Sequence, residues 1–312
     1  MKPKFAGACR GSSGAGSRVI TCSPCASGAF HGRPVDAARG LPHNQSLDSS
    51  GRESIRDRFG ESIQVSHGRV ATIIPAAGQG VRMGGKKQFL KLDNIPIFIH
   101  TLRKFLDCPD VTEIFMAAPA EDISAIEETL RAERLSKEVM VVAGGNRRQD
   151  SVENCLGVLS RDTDLVAVHD AVRPFVTVAL ICAVIEEAAR TGASILGILS
   201  VDTVKQVQQT RIVGTIPRER IVLAQTPQVF RYELLKQAFA KAREENFVGT
   251  DEASLVEHLG HEVTVVPGSE RNIKITTPAD LELARFYLEQ ERAASIAAAP
   301  VAATAARAKS GR

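Results

Sequence analysis

The chain has 312 residues, 44% of them hydrophobic and 24% charged, and 39 Lys and Arg against 36 Asp and Glu leave a net charge of +3. That balance is ordinary for a folded soluble protein and excludes disorder throughout or a fibrous fold, while the length leaves room for one large domain or two small ones. No apolar run reaches the roughly 18–20 residues of a membrane span, and 4% aromatic residues offer few stacking surfaces to single-stranded nucleic acid.

Residues 1–66 mix Gly, Ser, Arg and Pro without a helical or strand period. Such a segment cannot bury enough apolar surface to offset the entropy of ordering, so it is expected to be disordered. It lacks the long apolar stretch of a secretion signal. The acid-poor Met1–His31 fits either an organelle transit peptide, which would place the protein in a plastid, or translation from a spurious upstream start in a bacterial cytoplasm. Residues 1–66 hold nine Lys and Arg against five Asp and Glu, and 292–312 hold four against none, so the stretch between them carries −5. A nucleic-acid partner calls for a basic stripe on the folded body, and here the basic excess lies in the ends. Cys22 and Cys25 form a lone CxxC without a second pair or a βαβ context, and Cys108, Cys155 and Cys182 stand among apolar residues as reduced thiols do.

From residue 67 onward, short β-branched runs alternate with amphipathic stretches of helical length. Strands are expected at Val70–Pro75, Glu113–Ala118, Glu138–Val142, Leu165–His169 and Ser194–Ser200. Helices fit Ile97–Leu106, Ala120–Arg134, Asp150–Ser160, Val178–Thr191, Tyr232–Glu245 and Pro278–Glu291. The alternation predicts a Rossmann-like α/β fold over residues 67–291, a mostly parallel sheet with helices on both faces. Val201–Gln209 and Arg211–Pro217 break the rhythm as two polar strands with no helix between them. They predict a protruding β-hairpin arm over about residues 201–222 that reaches a partner subunit. The Ala-rich residues 292–312 read as a frayed extension of the last helix.

The first strand runs into Ala76-Ala-Gly-Gln-Gly-Val-Arg-Met-Gly-Gly-Lys-Lys-Gln88. Two familiar phosphate motifs fail here. GxGxxG fits Gly78 and Gly80 but meets Met83 where its third glycine belongs, and GxxxxGK[ST] fits Gly80, Gly85 and Lys86 but then meets Lys87. What remains is a glycine-rich loop whose backbone N–H groups can wrap a triphosphate, with Arg82, Lys86, Lys87 and Lys91 around it. A solvated basic turn is the plain alternative.

Six further blocks follow in order: Lys87-Gln-Phe-Leu, Gly144-Gly-Asn-Arg-Arg-Gln-Asp-Ser-Val, His169-Asp-Ala-Val-Arg-Pro, Gln225-Thr-Pro-Gln, Thr250-Asp-Glu-Ala-Ser and Asn272-Ile-Lys-Ile-Thr-Thr-Pro-Ala-Asp. Together with the glycine loop they resemble the 2-C-methyl-D-erythritol 4-phosphate cytidylyltransferases of the nucleotidyltransferase superfamily, over roughly residues 69–291. The glycine block alone would indicate only the superfamily; the His169 and Asn272 blocks narrow it. The resemblance implies attack by the phosphate of a polyol phosphate on the α-phosphorus of CTP, with release of pyrophosphate, in the non-mevalonate isoprenoid pathway. Such chemistry rests on positioning two anions and stabilising charge on the transferred phosphorus, so cations should dominate the site.

By resemblance, Arg82, Lys87 and Lys274 are the catalytic cations, Lys274 reaching the α-phosphate from a strand at Arg271–Thr276. Ala76, Ala77, Gly78, Gly80, Gly145, Asn146 and Ser151 take the nucleotide, with Ser151 adding a hydroxyl at the cytosine edge. Arg173, Thr203, Arg218, Thr226 and Thr250 take the second substrate, Thr203 and Arg218 from the arm and into the neighbouring subunit of a homodimer. Asp170 is the expected Mg²⁺ ligand, because magnesium favours one or two carboxylates plus phosphates and waters; a helix-capping Asp is the plain alternative. His169 is expected to be structural, since attack by a phosphate does not call for a base. Relatives often place two more residues between Arg82 and the lysine of the KQFL block, which leaves Lys86 and Lys87 both open as its counterpart. A cytidylyltransferase for another polyol phosphate such as ribitol 5-phosphate, or a catalytically silent nucleotide-binding regulator, are the alternatives.

Overall fold

A computed structural model describes residues 67–78, 89–133 and 135–309, the last fifteen by their backbone alone. The segment 1–66 and the loop positions Gly80, Arg82, Lys86 and Lys87 lie outside the described residues.

The first strand, β1 (Arg69–Pro75), is apolar almost throughout and is covered on both faces. Because successive side chains alternate across a strand, Val70 and Ile74 enter one core while Ala71 and Ile73 enter the other. A short hairpin follows, β2 (Lys91–Leu92) with β3 (Ile95–Pro96), and its turn holds Asp93 and Asn94 at φ of 54° and 62°. It leads into α1 (Ile97–Leu106), whose Phe98, Leu102 and Phe105 share one buried face. Next come β4 (Val111–Ala118), α2 (Ile123–Ala132), β5 (Val139–Ala143), α3 (Arg148–Leu156), β6 (Thr163–Val168) and α4 (Val178–Thr191). Thr177 caps α4 by accepting from the Leu180 N–H, and Gly192 closes it in the left-handed region at φ 94°. The strand β7 (Ala193–Leu199) enters the arm, made of β8 (Val204–Gln208) and β9 (Arg211–Ile216). The chain returns through β10 (Val222–Arg231), α5 (Tyr232–Glu244), α6 (Glu252–Leu259), β11 (Thr264–Pro267) and the terminal α7 (Pro278–Lys309).

Seven strands form the main sheet in the order β11-β7-β10-β6-β1-β4-β5. All neighbours are parallel except where β10 runs against β6 and β7. One face packs on α1, α2 and α4, the other on α3, α5 and α6. The α/β fold with an arm is therefore as expected. Five elements were not anticipated: the two-residue strands β2 and β3, and β10, α6 and β11. One expected strand is absent, because Arg271–Thr276 pairs with no strand. It is held by single contacts instead: the Ile275 N–H donates to the Val172 carbonyl at 3.0 Å, and Ile275 is buried beside Leu92 and Phe175. The helix expected at Asp150 opens earlier, at Arg148, with Asp150 as its third residue accepting from the Arg147 N–H at 3.1 Å.

Candidate active site

The strand order turns about β1 and β6, and ligands of open α/β sheets bind beyond the carboxyl ends at such a point. Pro75 hands over there to Ala76, Ala77 and Gly78, and β6 hands over to His169 and Asp170. The antiparallel β10 brings its first half, with Gln225, Thr226 and a cis Thr226–Pro227 bond, to the same end. A cavity of about 200 Å³ opens here, lined among others by Arg148, Asp170, Arg173, Thr226, Thr250 and Lys274.

Asp170 is the centre of its charge. Its carboxylate accepts from Lys274 Nζ at 2.9 Å, from Arg148 Nε at 3.1 Å and from Arg173 Nε at 3.3 Å, with 8% of the side chain exposed. Burial by itself would raise this carboxyl, but Arg148, Lys274 and Arg173 outweigh it and hold Asp170 below the usual carboxylate range. Each arginine has a second anchor. Arg173 Nη1 donates to the Asn272 carbonyl at 2.7 Å, and Arg148 Nη1 donates to both oxygens of the buried Glu252 at 2.7 and 2.8 Å. Lys274 is the most exposed of the three cations, with 42% of its side chain in solvent.

A hydrogen-bonded chain fixes the loop behind Asp170. The Asp170 N–H donates to the Thr226 hydroxyl at 3.1 Å, which donates in turn to His169 Nδ1 at 3.1 Å. His169 Nε2 lies 3.1 Å from the Arg173 carbonyl, and a carbonyl only accepts, so Nε2 carries the proton. Burial lowers His169 to a pKa of about 4, which keeps the ring neutral. With both nitrogens engaged and Phe105 against its face at 4.8 Å, His169 is a bracing group. The Thr226 hydroxyl, expected on the second substrate, is likewise committed inside the protein.

The turn after β5 lies against the end of β1. A Cβ on Gly144 would come within 2.4 Å of the Ala77 Cβ, and one on Gly145 within 2.4 Å of the Asp150 Cβ, so both glycines are required by close packing. The Ser151 hydroxyl accepts from the Gly145 N–H at 3.1 Å and donates to the Arg147 carbonyl at 3.0 Å, closing the turn from within. Ala76 is buried and donates its N–H to the Ala117 carbonyl at 2.7 Å, whereas Gly78 and Asn146 are exposed.

Most sites named from the sequence thus fall into four groups. Asp170, Arg173, Thr226, Thr250 and Lys274 line one cavity, and Ala77, Gly145 and Ser151 meet in the adjoining turn. Thr203 and Arg218 are exposed near the arm, Arg218 donating to the Val201 carbonyl at 2.7 Å. Gly80, Arg82 and Lys87 lie outside the described residues. Sequence reading missed Arg148, Glu252 and Gln228. Gln228 donates to Asp251 at 2.7 Å and accepts from the Ala253 N–H at 3.0 Å, and so fixes the turn that carries Thr250. All three stand inside the motif blocks, which was the available signal.

Comparison with known proteins agrees with this geometry. The family model for 2-C-methyl-D-erythritol 4-phosphate cytidylyltransferase matches residues 70–290. The chain belongs to that family. It is 53% identical over 240 residues to the cytidylyltransferase of Solibacter usitatus, covering 73% of this chain and 98% of that one. It is 50% identical over 234 residues to that of Acidobacterium capsulatum, covering 71% and 98%. Among solved structures, the 4-diphosphocytidyl-2C-methyl-D-erythritol synthase of Anaerococcus prevotii matches with a TM-score of 0.66 at 29% identity over 72% of this chain and 98% of that one. The Francisella tularensis cytidylyltransferase matches at 0.61 and 38%, over 70% and 99%. The cytidylyltransferase fold thus accounts for the sheet, and the blocks that hold Arg148, Asp170, Thr226, Thr250 and Lys274 converge on its carboxyl end.

Proposed function

We propose that the protein transfers CMP from CTP to 2-C-methyl-D-erythritol 4-phosphate, giving 4-diphosphocytidyl-2-C-methyl-D-erythritol and pyrophosphate. The observation that carries this reading is the Asp170 cluster, one buried carboxylate among Arg148, Arg173 and Lys274 beside a polar cavity. In the reaction a phosphate oxygen of the acceptor forms a bond to the α-phosphorus of CTP, and the bond to the β-phosphate oxygen breaks. A phosphate monoester with its second pKa near 6 is already ionised at neutral pH, so no general base is required. This agrees with a neutral His169 whose nitrogens are both occupied.

Fixed cations do the work. Lys274, half in solvent, turns from Asp170 to the transferring phosphate, while Arg173, Thr226 and Thr250 shape the acceptor side and Arg82 and Lys87 hold the triphosphate. Ala76, Ala77, Gly78, Gly80, Gly145, Asn146 and Ser151 take the nucleotide. Asp170 would hold Mg²⁺: a hard carboxylate at the cavity wall, with Lys274 as a displaceable partner, suits that cation. When bound, the ion neutralises phosphate charge.

The arm supports a homodimer, with Thr203 and Arg218 serving the neighbouring site. Val207, Ile212 and Val213 on it are exposed apolar residues that a second copy would cover. A reducing cytoplasm fits the free thiols Cys108, Cys155 and Cys182. The test is pyrophosphate release from CTP and Mg²⁺ with each candidate acceptor. Release with 2-C-methyl-D-erythritol 4-phosphate, and its loss on chelation with recovery on adding Mg²⁺, is expected. Release only with ribitol 5-phosphate, or with no acceptor, overturns the assignment.

A further inference from the structure

Glu252 opens α6 with its side chain 1% exposed, and Arg148 opens α3. Arg148 grips both Glu252 oxygens with Nη1 and places Nε on one Asp170 oxygen. The other Asp170 oxygen receives Lys274 and Arg173. Three separate elements therefore meet in one guanidinium: α3, which follows Gly144–Arg147, the loop after β6, and α6, which follows Thr250. Net stability is a weak account of this arrangement. A buried ion pair seldom contributes more than apolar residues of the same volume, because desolvating two charges offsets their attraction.

We propose that Arg148, braced by Glu252, is a positioning residue for the transfer reaction. It pins one Asp170 oxygen so that the other keeps its place when Lys274 moves to the phosphate. It also holds the nucleotide side and the acceptor side of the cavity in register. The planar fork suits the task, since it satisfies two carboxylates in fixed directions at once. Glu252 contributes by directing the guanidinium, and would also keep Arg148 from leaving Asp170 for an incoming phosphate. This inference rests on the proposed cytidylyl transfer.

The test compares wild type with an Arg148→Met, Glu252→Leu double variant, which removes both charges and keeps the volume, and with Glu252→Gln and Arg148→Lys. Each is followed by thermal melting, by calorimetric CTP binding without Mg²⁺, and by steady-state kinetics. Because the interaction matters in the transition state, kcat and kcat/KM should fall together, by about 100-fold in the double variant and about 10-fold in Glu252→Gln, with KM changed less than about threefold. Melting temperature and CTP affinity of the double variant should stay close to wild type. Arg148→Lys should recover part of the double variant's loss. A folded double variant, or a folded Glu252→Gln should the double variant not fold, with wild-type kcat overturns the inference and makes the pair structural. A wild type that releases no pyrophosphate with any acceptor defeats the underlying reading instead.

Discussion

The cavity end of the sheet and the arm are built from the same chain on opposite principles. Around a buried Asp170, charged and polar groups are paired: arginines each serve two acceptors, and the Thr226 hydroxyl both accepts and donates. In the arm, β8 and β9 pair with each other and have no core beneath them, leaving Val207 59%, Ile212 65% and Val213 54% exposed. An isolated two-stranded hairpin is marginal in water. In the first region the chain supplies the partners of its own charges. The other leaves apolar side chains at its surface, which the proposed homodimer would cover, and the difference separates a packed polar cluster from an uncovered hairpin.

The contrast can be tested from the largest effect downward. Lys274→Met should lower kcat by about 10²–10³-fold, the loss typical of one oxyanion-stabilising group. Because Lys274 is 42% exposed, its melting curve should stay near wild type; steady-state kinetics beside calorimetry checks both. Thr226→Val leaves the Asp170 N–H and His169 Nδ1 without their shared partner and should destabilise the fold by about 1–3 kcal/mol in urea titrations, with Thr226→Ser recovering most of it. Ile212→Asp should change protomer stability by no more than about 0.5 kcal/mol, as surface substitutions do, yet shift sedimentation from dimer to monomer. A monomeric Ile212→Asp with full activity would sever the arm from the site. Finally, burial raises Cys155 to a pKa of about 12, so alkylation near neutral pH should spare it until the chain unfolds, which mass spectrometry reads directly.

Much of the fold was legible because β1, β4, β5, β6 and β7 are β-branched runs flanked by amphipathic helices. What escaped has local causes. The strand β10 contains Pro227 and an irregular register between Ala224 and Gln228, and an internal proline argues against a strand. The helix α6 has eight residues, short for a periodic signal. Arg271–Thr276 failed the other way: Ile273 and Ile275 alternate with Asn272 and Lys274 as in a strand, but Arg173, Val172 and Thr226 occupy its backbone and Asn272 instead of a neighbouring strand.

The site divides in the same manner. Asp170, Arg173, Lys274, Thr226 and Thr250 could be named because their motif blocks are contiguous in the chain, and the order of blocks identifies the family. The chain alone therefore determined the layered α/β plan, through hydrophobic period, and the chemical type of the site, through its glycines and cations. Only the folded structure decided which cation meets which carboxylate. Arg148 and Glu252 are 104 positions apart, and nothing local to either predicts that burial will force them together beside Asp170. Pairing of that kind depends on which groups lose water at the same place, and that is a property of packing.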